Sequence, residues 1–259
     1  MTATIHATAI VSPDAVLGED VDIGAFAVVG PDVQVGDRTK IGSHAVVHRH
    51  TRLGADNLVH SFASVGDAPQ DKKYKGEPTR LEIGDRNVIR EFVTLNRGTT
   101  KDRGVTTIGS DNLFMSYAHV AHDCIVGNQC VLANSATLGG HVSLGDWVIM
   151  GGFAAIHQFC KVGAHAFLAN NAAVTRDVPP YVLAVGGPAK PHSINSEGLK
   201  RRGFSPQQIR NLRNAYRVLY RSGLRLEDAL VQLRALAQEQ PEVQTLVDFI
   251  PQSTRSLVR

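Results

Sequence analysis

The chain has 259 residues, is 43% apolar and carries 27 Lys and Arg against 24 Asp and Glu, giving a net charge of +3. It contains no apolar run near the roughly 18 residues of a membrane-spanning helix, and no charged-then-apolar leader. These properties argue against an integral membrane protein and against a secreted one. We therefore expect a cytoplasmic protein.

An aliphatic residue recurs at every sixth position from Ile5 to Val65, in a run of 11 hexads. Further runs of 3 and 12 hexads begin at Ile83 and Ile108, and Gly takes the second place in 14 of all these hexads. The fifth place usually holds a small side chain. One hexad cannot bury its own apolar face, so stacked repeats must supply the core. The pattern predicts a mainly β fold, a parallel β-helix of hexapeptide repeats, with Gly at corners that need unusual backbone dihedrals.

Three hexads make one coil of eighteen residues, so residues eighteen apart should stack in columns along the helix. Successive coils would lie roughly 4.8 Å apart, the spacing of neighbouring strands. The phase of the repeat breaks twice, at residues 71–82 and 101–107. Because insertions in repeat arrays usually form loops on one face, often the binding face, we predict two such loops here.

The repeats end near Val178, where the run DVPPY closes the array. Beyond it, Ser205 and Pro206 are typical of a helix N-cap and first helical position. Apolar residues then recur at helical spacing, a second helix is predicted near Leu226–Gln238, and a third after Pro241. We therefore divide the chain into a hexapeptide-repeat domain, residues 1–190, and a C-terminal helical domain, residues 191–259.

The helical tail is the basic part of the chain, since residues 196–259 hold 11 Lys and Arg against 6 Asp and Glu. Four arginines at spacings of three and four lie on one predicted helix face: Arg210, Arg213, Arg217 and Arg221. This face is either a solvated surface or a docking site for an acidic protein or a phosphate group. Nucleic acid is disfavoured because the patch is short and has no aromatic platform.

All three cysteines, Cys124, Cys130 and Cys160, occupy the fifth place of their hexads. That place points inward, so we predict buried core thiols. A catalytic thiol or a metal ligand would need an exposed cysteine beside a base, or a cysteine pair at ligand spacing.

The segment AHVAHDC places His119 and His122 close together. By the eighteen-residue rule, Gly140 and Gln158 stack in the column of His122, which would align a base, a backbone amide and a carboxamide. Acyl transfer requires a general base and a donor for the developing oxyanion. The missing side chain at Gly140 would let a reacting carbonyl approach its amide.

Asp123 could accept a hydrogen bond from His122 and fix its tautomer. Neighbouring residues in a straight strand point to opposite faces, so this pairing needs a corner at these two residues. His141 and His157 fall near the same edge on the following coils. The sequence thus predicts a cleft lined by imidazoles.

The chain resembles the family of UDP-N-acetylglucosamine O-acyltransferases that begin lipid A synthesis. The resemblance covers nearly the whole chain, and it rests on the hexads and on AHVAHDCIVGNQCVLANSATLGGHV, GGFAAIHQFCKVGAH, DVPPYV and NSEGLKRRGF. It implies a left-handed β-helix and a homotrimer with active sites between subunits. It also implies transfer of a 3-hydroxyacyl group from acyl carrier protein to the 3-hydroxyl of UDP-N-acetylglucosamine, without cofactor or metal.

The resemblance also implies roles for individual residues. His122 would be the general base, Asp123 its partner, and Gly140 the oxyanion donor. The predicted substrate contacts comprise a loop, a histidine cleft and a segment of the tail: Asp71, Lys73, Asn96, His119, His141, His157, Gln158, Asn195, Glu197, Arg201 and Arg202. The four arginines of the tail helix would dock the acidic carrier protein.

Two residues depart from the family pattern. The chain reads TLNRGT where relatives often have TIHRGT, so Asn96 replaces an imidazole near the sugar. This leaves open whether the acceptor is the 3-hydroxyl or the amine of a 3-amino sugar. Asn170 stands where long-chain members have Gly, in the position of an acyl-length ruler. Its side chain should shorten the pocket, and each excluded methylene is worth about 1–3 kcal/mol.

Three other functions remain possible on sequence grounds. A coenzyme A-dependent hexapeptide acetyltransferase is disfavoured by the helical tail and by the HQFC and KRRGF motifs. A zinc hydratase would need about three imidazoles converging on one metal ion. A purely structural or ice-binding β-helix would show a flat array of repeated outward side chains, whereas the outward positions here are chemically varied.

Overall fold

The computed structural model describes residues 3–259, and it confirms a parallel β-helix followed by a helical tail. Short parallel strands form three sheets, one on each side of the coil. The left-handed sense of the coil stays a prediction from the resemblance.

The first sheet contains β1 (Thr4–Ile5), β4 (Asp22–Ile23), β7 (Lys40–Ile41), β10 (Leu58–Val59), β13 (Val88–Ile89), β16 (Leu113–Phe114), β19 (Val131–Leu132), β22 (Ile149–Met150), β25 (Phe167–Leu168), β27 (Val182–Val185) and β28 (Lys190–Ile194). The second contains β2 (Ile10–Val11), β5 (Val28–Val29), β8 (Val46–Val47), β11 (Ser64–Asp67), β14 (Thr94–Asn96), β17 (His119–Val120), β20 (Thr137–Leu138), β23 (Ala155–Ile156) and β26 (Ala173–Val174). The third contains β3 (Val16–Leu17), β6 (Gln34–Val35), β9 (Thr51–Leu53), β12 (Arg80–Ile83), β15 (Val105–Ile108), β18 (Ile125–Val126), β21 (Ser143–Leu144) and β24 (Lys161–Val162). Among the strands of residues 3–259, β28 alone runs antiparallel, against β27.

Strand register confirms the eighteen-residue columns, as in the pairing of Thr4 with Asp22. Ser64 pairs with Thr94, and Thr94 pairs with His119, so two coils are longer by the lengths of the predicted interruptions. The predicted loop boundaries, 71–82 and 101–107, are wrong at their C-terminal ends. β12 starts at Arg80 and β15 at Val105, and these strands pair with each other. The extra residues leave the coil at the corner before each strand, because the strand itself keeps its ladder hydrogen bonds.

The role predicted for the hexad glycine is also wrong at every second-place glycine except Gly66, which has a φ of 86°. The left-handed backbone lies at the fourth hexad place, as in Asp20 with φ 55° and Phe26 with φ 58°, neither of them Gly. Gly at the second place is required by the close approach of the next coil. A Cβ on Gly36 would lie 2.5 Å from the carbonyl carbon of Gly54, for example.

The interior of the coil is apolar, and the predicted burial of all three cysteines is confirmed, each being 0% exposed. A column of buried asparagines replaces the small apolar residue at one corner. The Oδ1 of Asn57 accepts from the amide of Asn87, and the Oδ1 of Asn87 accepts from the amide of Asn112. Since each of these amide groups is hydrogen-bonded, their burial leaves no unpaired polar atom.

The tail folds into four α-helices, α1 (Ser196–Arg201), α2 (Pro206–Arg221), α3 (Leu226–Ala237) and α4 (Gln244–Phe249), with short 3-10 turns at Pro241–Val243 and Ile250–Gln252. The predicted helices correspond to α2, α3 and the turn with α4, and Ser205 caps α2 as predicted. Sequence analysis missed α1, which is only six residues long. No helix between residues 3 and 259 has the length and apolar character needed to cross a membrane. The division into two domains at residue 190 stays a prediction, and β28 starts at that residue.

An aromatic cluster joins the tail to the coils. The ring of His165 stacks between Trp147 and Tyr181, with centroids 6.2 and 5.6 Å away. The guanidinium of Arg202 lies 4.9 Å from the centroid of Trp147, and its Nη1 is 3.2 Å from Nδ1 of His165. Burial, and then the charge of Arg202, lower the pKa of His165 to about 4. This imidazole therefore stays neutral in the folded chain.

The neutral His165 should make the fold sensitive to acid. The imidazole of an unfolded chain has a pKa near 6.5. Between about pH 4 and pH 6.5 the unfolded chain is therefore protonated at His165 while the folded chain is not. This contribution to stability is complete above pH 6.5 and is lost as the pH falls to about 4. We expect it to reach about 3 kcal/mol at most.

Denaturant unfolding at pH 7 and pH 4.5 would measure this loss. His165→Phe keeps the ring stack without the titrating nitrogen, so the variant should lose less stability than the wild type across this interval. An equal loss in both proteins would contradict the assignment.

Candidate active site

The candidate site lies at the corner where the chain passes from the second sheet to the third, which we call the site corner. Both insertions leave the coil at this corner, and His122, Gly140 and Gln158 follow on successive coils. The amide of His141 donates to the carbonyl of His122, and the amide of Phe159 donates to the carbonyl of Gly140, both at 3.0 Å. The predicted column is therefore present.

His122 and Asp123 are hydrogen-bonded, with Nδ1 of the imidazole 2.8 Å from Oδ2 of the carboxylate. The corner makes this possible, because Asp123 has a left-handed φ of 60°. The carboxylate also accepts from the amide and the hydroxyl of Thr99, at 2.8 and 2.7 Å. A carboxylate can only accept hydrogen bonds, so the proton of the neutral imidazole lies on Nδ1. The lone pair on Nε2 of His122 is therefore open.

The Asp123 carboxylate is fully buried yet remains the acceptor of this pair. Burial raises its pKa, but hydrogen bonds from His122 and Thr99 outweigh that effect, and the pKa lies below its ordinary value. A negative carboxylate at this position stabilises the imidazolium that forms when His122 takes a proton.

Gly140 lies directly beneath the His122 ring. A Cβ there would lie 2.6 Å from Cε1 and 2.8 Å from Nε2 of His122. The space that the sequence assigned to a reacting carbonyl is thus partly filled by the His122 imidazole itself. Lack of a side chain at Gly140 is first of all what lets His122 occupy its position.

The amide of Gly140 makes no hydrogen bond to any residue between 3 and 259. At several other corners the equivalent amide is capped by a side chain eighteen residues further on. Asp146 caps Asn128 and Asn170 caps Gly152, at 2.7 and 2.9 Å. Gln158 holds the capping place for Gly140 but does not use it, so this N–H is available to an oxyanion.

Of the other predicted imidazoles, His141 contacts this pair directly. The ring of His141 stands edge-on to His122, with centroids 5.1 Å apart, and stacks on Phe159 at 4.4 Å. His119 contacts the hydroxyl of Thr94 through Nδ1, 2.7 Å away, and burial followed by the charge of His122 lowers its pKa. His157 is exposed, with Nδ1 3.2 Å from the carbonyl oxygen of Gln158.

Asp102, which sequence analysis missed, contacts His141. Its Oδ2 lies 2.9 Å from Nδ1 of the imidazole. The sequence marked this segment only as an interruption of the repeat, and the path of the loop decides which of its residues reaches the cleft.

The first insertion carries Asp71 and Lys73 at its start. The Oδ1 of Asp71 accepts from the amide of Lys73 at 2.9 Å, and its Oδ2 accepts from Nζ of Lys101 at 2.9 Å. Both hydrogen bonds lower the pKa of Asp71, and the bond from the Lys73 amide has the larger effect. Arg97, also missed by sequence analysis, supports the insertion from below by donating to the carbonyl of Gly66 and the hydroxyl of Tyr74.

One group of residues within 3–259 has donor atoms close enough to hold a metal ion. These are His122, Asp123 and His141, whose ligand atoms lie within 4.8 Å of one another. The Asp123 carboxylate is already engaged by Thr99 and by Nδ1 of His122. A metal ion would have to displace the hydrogen bond that orients His122.

Known proteins place this architecture in a family. A family model described as domain 2 of UDP-N-acetylglucosamine O-acyltransferase matches residues 177–258, and a bacterial transferase hexapeptide model of six repeats matches 14–49 and 106–140. An acyl-(acyl-carrier-protein)–UDP-N-acetylglucosamine O-acyltransferase of Thiobacillus denitrificans is 54% identical over 257 residues, 99% of this chain and 100% of that protein. The chain belongs to this O-acyltransferase family.

Other relatives and solved structures agree. The member of the O-acyltransferase family from Paraburkholderia xenovorans is 56% identical over 98% of this chain and 99% of its own length. The crystal structure of the Francisella novicida acyltransferase has a TM-score of 0.97, with 39% identity over 99% of this chain and 94% of that one. That of Moraxella catarrhalis has a TM-score of 0.96, with 44% identity over 98% and 99%.

The tail residues that the O-acyltransferase family resemblance implies lie at another corner, between the third and first sheets. Asn195 donates to the carbonyl of His165 at 3.0 Å and caps α1 by accepting from the amide of Gly198 at 3.1 Å. Glu197 and Arg201 are exposed on α1, and Arg202 stacks on Trp147 as described. Within one chain these residues do not line the cleft of His122.

The two departures from the O-acyltransferase family pattern occupy different settings. Asn96 is 3% exposed, donates to the carbonyl of Ala68 at 2.9 Å, and its Oδ1 has no partner among residues 3–259. Asn170 lies at the far edge of the second sheet from His122 and caps the Gly152 amide. Gln158 is exposed, with its carbonyl accepting from Arg255 at 3.3 Å.

Proposed function

We propose that the chain transfers a 3-hydroxyacyl group from acyl carrier protein to the 3-hydroxyl of UDP-N-acetylglucosamine, the first step of lipid A biosynthesis. The observation that carries the proposal is the His122–Asp123 pair, whose open Nε2 lies beside the uncapped amide of Gly140. The names of the relatives support the donor and the acceptor. They also favour the hydroxyl over the amine as acceptor.

The proposed reaction proceeds by direct transfer without a covalent enzyme intermediate. Nε2 of His122 takes the proton of the sugar hydroxyl while its oxygen attacks the thioester carbonyl carbon. The Gly140 amide donates to the oxyanion of the tetrahedral intermediate. When that intermediate collapses, the carbon–sulfur bond breaks, and the proton on His122 passes to the departing thiolate of the carrier.

The remaining cleft residues would bind the sugar nucleotide. Asp71 and Lys73 approach from the first insertion, and His119, His141, His157 and Gln158 line the coils. Asn96 offers a buried acceptor, since both its amide hydrogens point to backbone carbonyls. The burial of that oxygen without a partner is costly, and a donor from the sugar would satisfy it once the residues that cover it move aside.

Mass spectrometry of the product tests the proposed function. Purified protein would be incubated with UDP-N-acetylglucosamine and a ladder of 3-hydroxyacyl carrier proteins, with acyl coenzyme A and the 3-amino sugar nucleotide in parallel reactions. We expect an ester of the hydroxyl sugar from the carrier-protein donor. A product formed only from coenzyme A, or only as an amide, would contradict the proposal, and stoichiometric zinc by elemental analysis would favour the hydratase.

We propose that the enzyme works as a homotrimer with each site shared between copies. Support comes from the tail residues Asn195 to Arg202, which lie at a different corner from His122. A column of stacked, exposed aromatic rings, Phe26, Phe62, Phe92 and Tyr117, with His44 between the first two, also favours self-association. Native mass measurement should find three chains of 27.9 kDa each.

Coexpressed His122→Ala and Arg202→Ala chains should regain part of the activity that each lacks alone.

We also propose that the arginine face of α2 docks the acidic carrier protein. Arg210, Arg213, Arg217 and Arg221 are all exposed, and within residues 3–259 none forms an ion pair. On the coils, by contrast, Arg38 and Arg86 are each bound to a carboxylate. Four guanidinium groups without a carboxylate partner on one face suit an acidic protein, although Arg210 and Arg213 donate to the neutral side chains of Gln207 and Ser196.

A cytoplasmic location follows on this proposal, in keeping with the three unpaired thiols.

Charge reversal on this face should weaken carrier binding. We expect Arg213→Glu with Arg217→Glu to raise the KM for the carrier protein by about tenfold or more while kcat stays near the wild type. Arg234→Glu, the same change on α3, is the matched control. A KM unaffected by the double change would show that the face is merely solvated.

Asn170 should limit the length of the acyl group. We expect Asn170→Gly to shift the preferred donor towards longer chains, by about tenfold in relative kcat/KM for each methylene that the wild type excludes. The variant also loses the hydrogen bond to the Gly152 amide. Asn128→Gly loses the equivalent bond to Ser110 and is therefore the control. An unchanged chain-length profile in Asn170→Gly would reject the ruler.

A further inference from the structure

The second insertion loop, residues 97–104, crosses the site corner and is held at three points. At its start Thr99 donates twice to Asp123. Further on, Lys101 forms an ion pair with Asp71, and the next residue, Asp102, contacts His141. One short loop therefore touches the partner of the base, the first insertion and an imidazole of the cleft.

His141 is held by this loop through its contact with Asp102. Its ring is confined between the face of Phe159, at an angle of 9°, and the edge of His122, at 88°. These contacts fix the plane of the ring. A rotation of the ring by half a turn about the Cβ–Cγ bond would keep that plane and nearly the same packing, but it would exchange Nδ1 for a carbon atom. Packing alone does not decide which ring nitrogen faces the cleft.

The hydrogen bond to Asp102 selects one of the two ring orientations. Its carboxylate lies 2.9 Å from Nδ1, while Nε2 on the opposite side of the ring lies 3.8 Å from Oδ2 of Asp123. Turning the ring would give up the hydrogen bond to Asp102. The bond to Asp102 therefore directs Nε2 of His141 towards the His122–Asp123 pair, where the sugar nucleotide would bind.

We infer that Asp102 is a positioning residue for the transfer reaction and acts through His141. The inference rests on the proposed function, because His141 is a predicted substrate contact there. Asp102 itself does not touch the base: it orders the imidazole that completes the cleft beside His122. The carboxylate is 40% exposed, so its loss should not disturb the core.

A double-mutant cycle tests this inference. We expect Asp102→Asn to lower kcat/KM by about tenfold in the wild-type background, and by less than about twofold when His141→Asn is already present. Asp102→Glu should restore part of the activity. Asp32→Asn is the matched control, because Asp32 lies 3.5 Å from Nδ1 of His50 at the same corner but away from the cleft; its kcat/KM should match the wild type.

The ring nitrogens of His141 give a readout independent of turnover. In ¹⁵N-histidine-labelled protein, with His141→Asn used to identify the resonances, Asp102→Asn should change the ¹⁵N shift of Nδ1. Equal losses of kcat/KM in both backgrounds, an unaffected kcat/KM, or an unchanged Nδ1 shift would each overturn the inference. Wild-type protein that forms no product would instead refute the proposed function, so the two failures are distinguishable.

Discussion

His122→Ala should lower kcat by about 10²- to 10⁴-fold, the usual contribution of a positioned general base. Nε2 of His122 is the open ring nitrogen of the hydrogen-bonded pair, and without it the sugar hydroxyl would have to lose its proton to water. The fold should survive, because the imidazole lies outside the apolar interior and contacts the next coil at Gly140 and at the exposed edge of the site through His141. Steady-state kinetics with the carrier-protein donor would measure the loss.

His50→Ala supplies the control for this experiment. His50 lies at the same corner of an earlier coil and pairs with Asp32, but it does not reach the cleft. Its kcat should stay near the wild type, and circular dichroism should show an intact β-helix in both variants. Retention of more than about a tenth of the wild-type kcat by His122→Ala would mean that another group is the base.

Gly140→Ala should lower kcat/KM by about 10²-fold or more, through displacement of His122. The new Cβ would come within 2.6 Å of the ring, and the ring is the far end of a side chain that can rotate away. Rotation breaks the 2.8 Å hydrogen bond to Asp123 and moves Nε2 off the Gly140 amide. The melting temperature should change little, since no backbone has to move.

The neighbouring glycine should give the opposite result. A Cβ on Gly139 would lie 2.8 Å from the backbone nitrogen of Gln158, which belongs to the next coil and cannot rotate away. Gly139→Ala should therefore lower the melting temperature of the protein. If Gly140→Ala were the variant that melts early and Gly139→Ala the one that stays stable, the placement of His122 over Gly140 would be wrong.

The column structure was predictable because a six-residue period leaves few choices once the aliphatic place points inward. From it followed the alignment of His122, Gly140 and Gln158 and the burial of the cysteines. The hydrogen bond between His122 and Asp123 was foreseen on condition of a corner, and the left-handed φ of Asp123 meets that condition.

Other features depend on contacts between coils, which a pattern within one hexad does not contain. The hexad glycines proved to be needed for the approach of the next coil, while Asp20 and Phe26 take the left-handed backbone. Helix α1 was missed because six residues hold too few turns for an apolar period. Asp102 was missed because an irregular loop follows no period, and its bond to His141 depends on the path of the chain.

The position of the two insertions has a consequence for how this enzyme can vary. Each one leaves the coil between two strands and returns in register, so the coils after it stack as they would without it. The second insertion is tied to the candidate site, because Thr99 donates to Asp123. Within residues 3–259 the first insertion makes no such bond, so on the proposed function it could be lengthened or rewritten to change sugar recognition without moving His122, Asp123 or Gly140. On that proposal, sugar recognition can diverge through the first insertion while the residues that carry the transfer are kept.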